Sequence, residues 1–243
     1  KRCLLIVDEA QNLTARAVDP RKMRVIAESV CKCDRLDAQV LSELARSNLK
    51  LPVCYFPDDQ AFALREHLRA RADLVRLRTM AKNRVHALLH RRAILSPSGG
   101  LFTKTGRAFL AQLELDREGA ELRERWLKTV GHLEAQIKGS DADLRRLAAL
   151  DRWRDDAERL RTMPGVGPVT ALTVLAELGD IHRFHSRAAV ANYSGLVPVL
   201  RESNGHGYCG RITHRGPALL RAVLVQAAWM AVPRVPAYEA IFE

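Results

Sequence analysis

Apolar residues recur along this chain in two rhythms, and the contrast divides it into segments. Residues 3–7 (Cys-Leu-Leu-Ile-Val) form an unbroken apolar run closed by Asp8-Glu9, the pattern of a short buried strand, and residues 15–19 suggest a second. Pro20 then suits the first turn of a helix through Met23. Over residues 34–47 the apolar positions Leu36, Val40, Leu41 and Leu44 return at helical spacing. Residues 51–56 look like a strand or extended edge, with Pro52 arguing against a central place in a sheet.

Pro57-Asp58-Asp59 caps a long helix reaching about Arg92, whose apolar positions include Leu64, Leu68, Val75, Val85 and Leu89. Ser96-Pro97-Ser98-Gly99-Gly100 is a clear break. A second helical tract follows over residues 107–150, with Leu122, Trp126, Val130, Leu133 and Ile137 in near-heptad steps. Gly119, Gly131 and Gly139 argue against one unbroken rod there. The two tracts suit either an antiparallel coiled-coil arm able to make dimer contacts or two core helices of one compact bundle. Past residues 151–162 the texture changes to a Gly/Pro turn and an apolar helix, then a Gly- and Ser-rich stretch and a helix over residues 216–231. Three regions are expected: 1–59, 60–150 and 151–243. The fold class is α/β, predominantly helical.

Composition narrows the function. Among 243 residues, 47% are hydrophobic and 28% charged, as in globular proteins, while aromatics at 5% and abundant Leu and Ala favour helices. The excess of 39 Lys and Arg over 28 Asp and Glu gives a charge of +11, which points to a polyanionic partner and first to nucleic acid. An acidic membrane surface would attract the same charge, but the basic residues are spread along helices and form no short anchor. No run approaches the ~20 apolar residues of a membrane span. The opening residues lack the length and cleavage region of a signal peptide. Five scattered cysteines do not make a disulfide scaffold, and Cys31 and Cys33 have the wrong spacing for a zinc knuckle. A reduced, cytoplasmic protein is expected, nucleoid-associated when bound to DNA.

Several segments carry candidate chemistry. In Pro164-Gly165-Val166-Gly167-Pro168 the glycines permit a tight turn with exposed amides, and Pro168 suits the first turn of the next helix. Such a turn makes a sequence-independent phosphate site of the helix-hairpin-helix kind, or else a plain helix connection. Asp34 and Asp37 share one helix face and could share a divalent cation, or could merely favour the helix dipole. Ser203 is expected on flexible, loop-rich backbone among Arg201, His206, Arg211, His214 and Arg215. Cations of that kind would assist a hydroxyl attacking phosphorus; the alternative is a surface turn in which Ser203 caps backbone. Residues 4–12 (LLIVDEAQN) look like a Walker B strand, but no phosphate-cradling G-x-x-x-x-G-K-[ST] loop occurs, which argues against an ATPase. Lys82, Arg84 and neighbouring arginines give the first long helix a basic surface.

These residues resemble the insertion-sequence 110 transposases, bridge-RNA-guided DNA recombinases. The family shows a P-G-[IV]-G-P turn, a phenylalanine before a Ser/Ala-rich helix, then Y-x-G-L-x-P, a serine, G-x-I-x-[KH]-x-G and L-R. Here stand residues 164–168, Phe184, Tyr193-Ser194-Gly195-Leu196-Val197-Pro198, Ser203, Gly210-Arg211-Ile212-Thr213-His214-Arg215-Gly216 and Leu220-Arg221. Lys32-Cys33-Asp34-Arg35-Leu36-Asp37-Ala38 is similar to the family's K-T-D-x-x-D-A, Asp19-Pro20 to its Asn-Pro, and Lys82-Asn83-Arg84-Val85-His86 to its K-N-R-[LV]-H. The resemblance spans residues 15–235.

It implies an incomplete RuvC-like (RNase H-like) N-terminal domain, a long helical coiled-coil arm, and a helical C-terminal domain with a helix-hairpin-helix-like turn. Asp34 and Asp37 match the last two of four carboxylates that bind Mg2+; the first two have no counterpart with its surrounding motif. Ser203 matches a serine that attacks DNA and forms a phosphoserine link, with Asn204 in place of a usual glycine and His214 in place of a common lysine. The implied partners are DNA, a structured guide RNA, and further copies in a homodimer or homotetramer. Measured against the family, the chain looks truncated at both ends. The expected function is therefore a transposase acting on insertion-sequence ends by serine attack with Mg2+ assistance. The alternative is an inactive DNA- or RNA-binding remnant. Gly165, Gly167, Arg211, Arg215, Lys82 and Arg84 are the expected nucleic-acid contacts.

Overall fold

The computed structural model describes residues 4–7, 15–18, 43, 55–203 and 206–242, with backbone alone over the strands at 4–7 and 15–18 and over 200–203, 206–208 and 241–242. Two compact units divide at residue 57, Lys1–Pro57 and Asp58–Glu243, so the long helices and the C-terminal region lie in one unit. In the first unit, β1 (Leu4–Val7) and β2 (Ala15–Val18) pair antiparallel, Leu4 opposite Val18 and Val7 opposite Ala15. Both expected strands are thus present. The expected helix after Pro20, that over 34–47 apart from Glu43, which is helical, and the first part of the 51–56 extended segment lie outside the described residues. Tyr55 and Phe56 are irregular, not strand.

The second unit is built on an antiparallel pair of helices. Helix α1 (Asp59–His90) starts where expected: the Asp58 carboxylate accepts the Ala61 amide at 3.0 Å, supplying one of the partners that a helix N-terminus lacks. The tract expected over 107–150 is two helices, α2 (Lys104–Gln112) and α3 (Arg117–Ala148). The chain breaks between them because both ends are tied off by side chains. Arg123 donates to the carbonyls of Leu110 (2.9 Å) and Leu113 (2.6 Å), and Asp116 accepts the Gly119 amide at 3.3 Å.

The interior glycines do not interrupt α3, contrary to the expectation from sequence. Gly131 and Gly139 face open space, and each costs about 1 kcal/mol relative to alanine. Burial of Val130, Leu133, Ile137 and Leu144 on the opposite face outweighs that cost. Three ion pairs fix the direction of packing: Arg71 with Asp141, Lys82 with Glu134, and Arg92 with Asp116, so α3 descends as α1 ascends. The apolar seam lies inside this pair. Ala81 meets Val130 and Leu133 at mid-length, while Val85 and Leu89 close over Leu101 and Leu110 near the turn. A seam covered within one chain does not by itself present a dimer surface.

At the other end of the pair, Ala61, Leu64 and Leu68 of α1 form a core with Leu144, Trp153, Leu172 and Ala176. The last three belong to α4 (Asp151–Arg161) and α5 (Pro168–Leu178). Then come α6 (Arg187–Ser194), β3 (Pro198–Ser203), β4 (His206–Ile212), α7 (Ala218–Ala231) and α8 (Pro236–Phe242). β3 and β4 make an antiparallel hairpin in which Ser203 pairs with His206, with an irregularity between Pro198 and Leu200. Ser203 therefore ends a strand, where the sequence suggested a flexible loop. In sequence the two strands are separated by Asn204-Gly205, the dipeptide that favours tight hairpin turns. No helix among the described residues is long and apolar enough to cross a membrane.

Candidate functional site

Helix α4, residues 162–167 and helix α5 form a helix–turn–helix around the expected turn. The Val166 amide donates to the Met163 carbonyl at 3.1 Å, Gly167 caps α5, and Pro168 occupies its first turn. The two glycines serve different ends. Gly165 has φ of +83°, and a Cβ there would lie 2.2 Å from the Ala227 carbonyl oxygen of α7, so its role is a close backbone approach. Gly167 faces open space and is the one available to a ligand.

The far end of α5 is held by cations, as suits the negative pole of a helix. Arg65 of α1 is buried and donates from Nε to the Ala176 carbonyl at 2.7 Å and from a terminal nitrogen to the Glu177 carbonyl at 3.1 Å. Its Nε also lies 3.6 Å from the buried Glu177 carboxylate, which Arg69 approaches at 3.3 Å. Arg183 donates to the Leu178 carbonyl, and its guanidinium lies 4.1 Å from the Phe184 ring centre and 4.6 Å from that of Tyr193. The Tyr193 hydroxyl in turn donates to the Glu177 carbonyl at 3.2 Å. Phe184 and Tyr193 thus seat α6 on the end of α5.

Two further glycines lock the loop after β4 against the end of α6. Gly195 (φ +72°) leaves no room for a Cβ, which would lie 2.0 Å from the Arg215 carbonyl oxygen. Gly216 (φ +97°) is equally close to the Tyr193 carbonyl oxygen, at 1.9 Å for a Cβ. Between them His214 takes φ of +51°, uncommon outside glycine. Arg221 of α7 donates to the Ser194 carbonyl at 3.3 Å, and the Thr213 amide donates to Val197 at 2.9 Å, closing the base of the hairpin. Ser194 is buried and its hydroxyl donates to the Ala191 carbonyl at 2.8 Å, so it is a helix-ending residue and not an available nucleophile.

The hairpin separates residues that the sequence grouped together. Ser203 and His206 mark the end away from this anchor; Arg211 lies five residues further along β4. At the usual strand rise that is about 16 Å from the Ser203 end. Arg211 and Arg215 are exposed, without ion-pair partners among the described residues, and sit at the base with the glycine lock. On α1, Arg84 is exposed, whereas Lys82 is held by Glu134 at 3.1 Å and stands 4.7 Å over the Phe102 ring. Asp34 and Asp37 lie outside the described residues. Among the described residues no group of three or more His, Cys, Asp or Glu side chains could hold a metal ion. Sequence reasoning missed Arg65, Arg183 and Glu177 as organisers of this region; their partners are remote in the chain, and no local pattern marks them.

Comparison with known proteins bears on these same segments. The model of the transposase IS116/IS110/IS902 family matches residues 157–241, which run from the end of α4 through the glycine lock and hairpin to α8. The DEDD transposase model of the IS110 group matches residues 2–93. Similar curated proteins include the transposase for insertion sequence element IS1111A of Coxiella burnetii, 27% identical over 89% of this chain and 59% of its own length. The transposase for insertion sequence element IS1328 of Yersinia enterocolitica is 30% identical, over 90% of this chain and 64% of its own. A probable family 20 transposase of Pseudomonas aeruginosa is also 30% identical, with 88% and 63% covered. The chain spans roughly three fifths of the length of these relatives. With both characteristic segments matched, in the family's order and across most of its length, the chain belongs to the IS110/IS116/IS902 family of transposases.

Proposed function

We propose that this chain acts on the DNA of an insertion sequence as a recombinase, with Ser203 as the nucleophile. The observation that carries the reading is the placement of Ser203 at the end of a hairpin whose base is locked to α6 and α7 by Gly195, Gly216 and Arg221. A nucleophile at the tip of such a hairpin is carried by strand-paired backbone that rises from a packed base, which suits a reaction that depends on geometry. In the reaction the Ser203 oxygen forms a bond to phosphorus, the bond from phosphorus to a deoxyribose oxygen breaks, and that oxygen takes up a proton as the serine gives one up. A neutral hydroxyl attacks poorly, so the step needs a proton acceptor and cations around the phosphate. His206, paired with Ser203 across the strands, is the nearest titratable neighbour by register.

The exposed Arg211 and Arg215 support binding of the flanking backbone, about 16 Å from the Ser203 end, and not clamping of the reacting phosphate. Arg84 and the open Gly167 are further contact points; Lys82 would join them only by releasing Glu134. Asp34 and Asp37 offer hard oxygen donors, the type that Mg2+ prefers, and would hold such an ion together with donors from elsewhere. Bound there, Mg2+ would supply charge neutralisation at a phosphoryl oxygen. A structured guide RNA and self-association are carried over from the family resemblance alone.

The test is to incubate the protein with donor and target DNA, with a cognate guide RNA where one is identified, and to trap covalent protein–DNA adducts. Ser203→Ala is expected to remove the adduct and preserve binding, while Ser194→Ala, at a buried helix end, leaves adduct. Undiminished adduct in the Ser203→Ala protein refutes the assignment. Binding with no adduct from any version favours a binding-only remnant, a reading prompted by the absence of sequence counterparts for two of the family's four carboxylates.

A further inference from the structure

The last turn of α3, the outer face of α4 and the first residue of α5 enclose a cleft of about 320 Å³ beside the Gly167 turn. Its walls carry Arg145, Arg154 and Arg161, while Ala148, Ala149 and Ala157 keep it open; Glu158 is the one carboxylate lining it. The arginines divide by what already holds them. Arg154 donates twice to the Ala149 carbonyl and pairs with Asp151 at 2.9 Å, so it shapes the cleft. Arg145 and Arg161 are exposed and have no carboxylate partner among the described residues. Their neighbours Arg146 and Arg159 do have partners, in Asp143 and Asp156. Two arginines on different helices, neither held by a carboxylate, thus line one hollow beside the positive pole of α5.

We infer that this cleft is a phosphodiester-binding site, in which Arg145 and Arg161 grip one phosphate of a nucleic-acid strand passing the Gly167 turn. A guanidinium presents a planar fork of donors that matches phosphate oxygens, and two forks from separate helices suit a tetrahedral anion. The inference rests on the reading that the chain binds nucleic acid and adds to it the place where backbone is held. DNA and RNA offer the same phosphodiester, so the experiment must separate them.

The test measures affinity of the 243-residue chain for a DNA duplex and, separately, for an RNA oligonucleotide, across a series of salt concentrations. Arg145→Ala/Arg161→Ala is compared with a charge-matched control, Arg117→Ala/Arg125→Ala, which removes exposed arginines near the start of α3; Arg125 lies some 20 residues, about 30 Å, along α3 from Arg145. The cleft variant is expected to lower the slope of log affinity against log salt by about 1, for the one phosphate that the two arginines share, while the control leaves it nearly unchanged. Arg145→Lys/Arg161→Lys, which keeps the charge, should retain most of the slope. Loss confined to one nucleic acid supports the site and identifies its ligand. An unchanged slope with binding intact overturns the cleft and leaves the broader reading standing, as does an equal loss in the control. A chain that binds neither nucleic acid overturns both. Thermal unfolding of each variant verifies that the fold survives.

Discussion

Gly216 lies directly against the carbonyl of Tyr193: a Cβ at that glycine would sit 1.9 Å from the Tyr193 oxygen, and its φ of +97° belongs to glycine alone. With the reciprocal approach of Gly195 to Arg215, this contact interlocks the loop after β4 with the end of α6. Glycines within Y-x-G-L-x-P and G-x-I-x-[KH]-x-G, which the sequence offers as separate motifs, are two halves of one backbone joint.

Gly216→Ala is therefore expected to destabilise the protein by at least about 2 kcal/mol, combining backbone strain with a clash that no rotamer relieves. Gly131→Ala, in the open on α3, should stabilise by up to about 1 kcal/mol. Urea unfolding of the two variants decides the matter. Equal effects would mean that the Gly216 approach does not constrain the fold.

Replacing Arg65 tests how α5 is held. Arg65→Leu strips the buried Glu177 of its buried partner and leaves the Ala176 and Glu177 carbonyls without this donor, so a loss of about 3 kcal/mol or more is expected. Arg117→Leu breaks only an exposed pair with Glu121 and should cost less than about 0.5 kcal/mol. Similar losses from both would show that Arg65 does not anchor α5.

Acid should loosen the Asp58 clasp in a defined window. Hydrogen bonding from Arg152, with the Ala61 amide, holds the Asp58 carboxyl at about 2, below its ordinary 3.8. A depressed folded value gives stability that is complete above the unfolded value and is lost as pH falls through the folded one, so the window runs from about pH 4 to pH 2. Asp58→Asn keeps a capping oxygen without the charge and should flatten the stability–pH curve there. The group is exposed, so the change is small. An unaltered curve between pH 4 and pH 2 would remove the ion pair from the account.

Asp34→Asn/Asp37→Asn is expected to abolish any Mg2+-dependent adduct or strand transfer while DNA affinity stays within about threefold, since carboxylates add nothing to phosphate attraction. Adduct formation at the original rate, with Mg2+ present, would exclude these residues from the chemistry.

What the sequence disclosed depended on how local the determining contacts are. The Asp58 cap and the start of α5 at Pro168 were legible because each is decided within a few residues. The β3–β4 hairpin was also locally encoded, by Asn204-Gly205, but a density of small and cationic residues suggested a loop and masked it. Gly131 and Gly139 misled because propensity is a weak term beside a buried face. Lys82 looked like a phosphate contact, yet its partner Glu134 stands 52 positions away on α3, beyond any periodicity. Arg65 and Glu177, more than 100 residues apart, were invisible for the same reason.

The antiparallel pairing of α1 and α3 bears on how such a chain could be divided or exchanged in evolution. The DEDD match ends at residue 93, just past α1, but α1 folds within the unit that also holds the C-terminal match. A cut at that boundary would separate Val85 and Leu89 from Leu101 and Leu110, and Leu64 and Leu68 from Leu172 and Ala176, baring apolar surface on both pieces. The two recognisable segments are thus modules of sequence and not of folding. A recombinant that swaps one for a relative's keeps a stable interior only if it carries a compatible helix α1, and the natural crossover point lies near residue 57, not near 93.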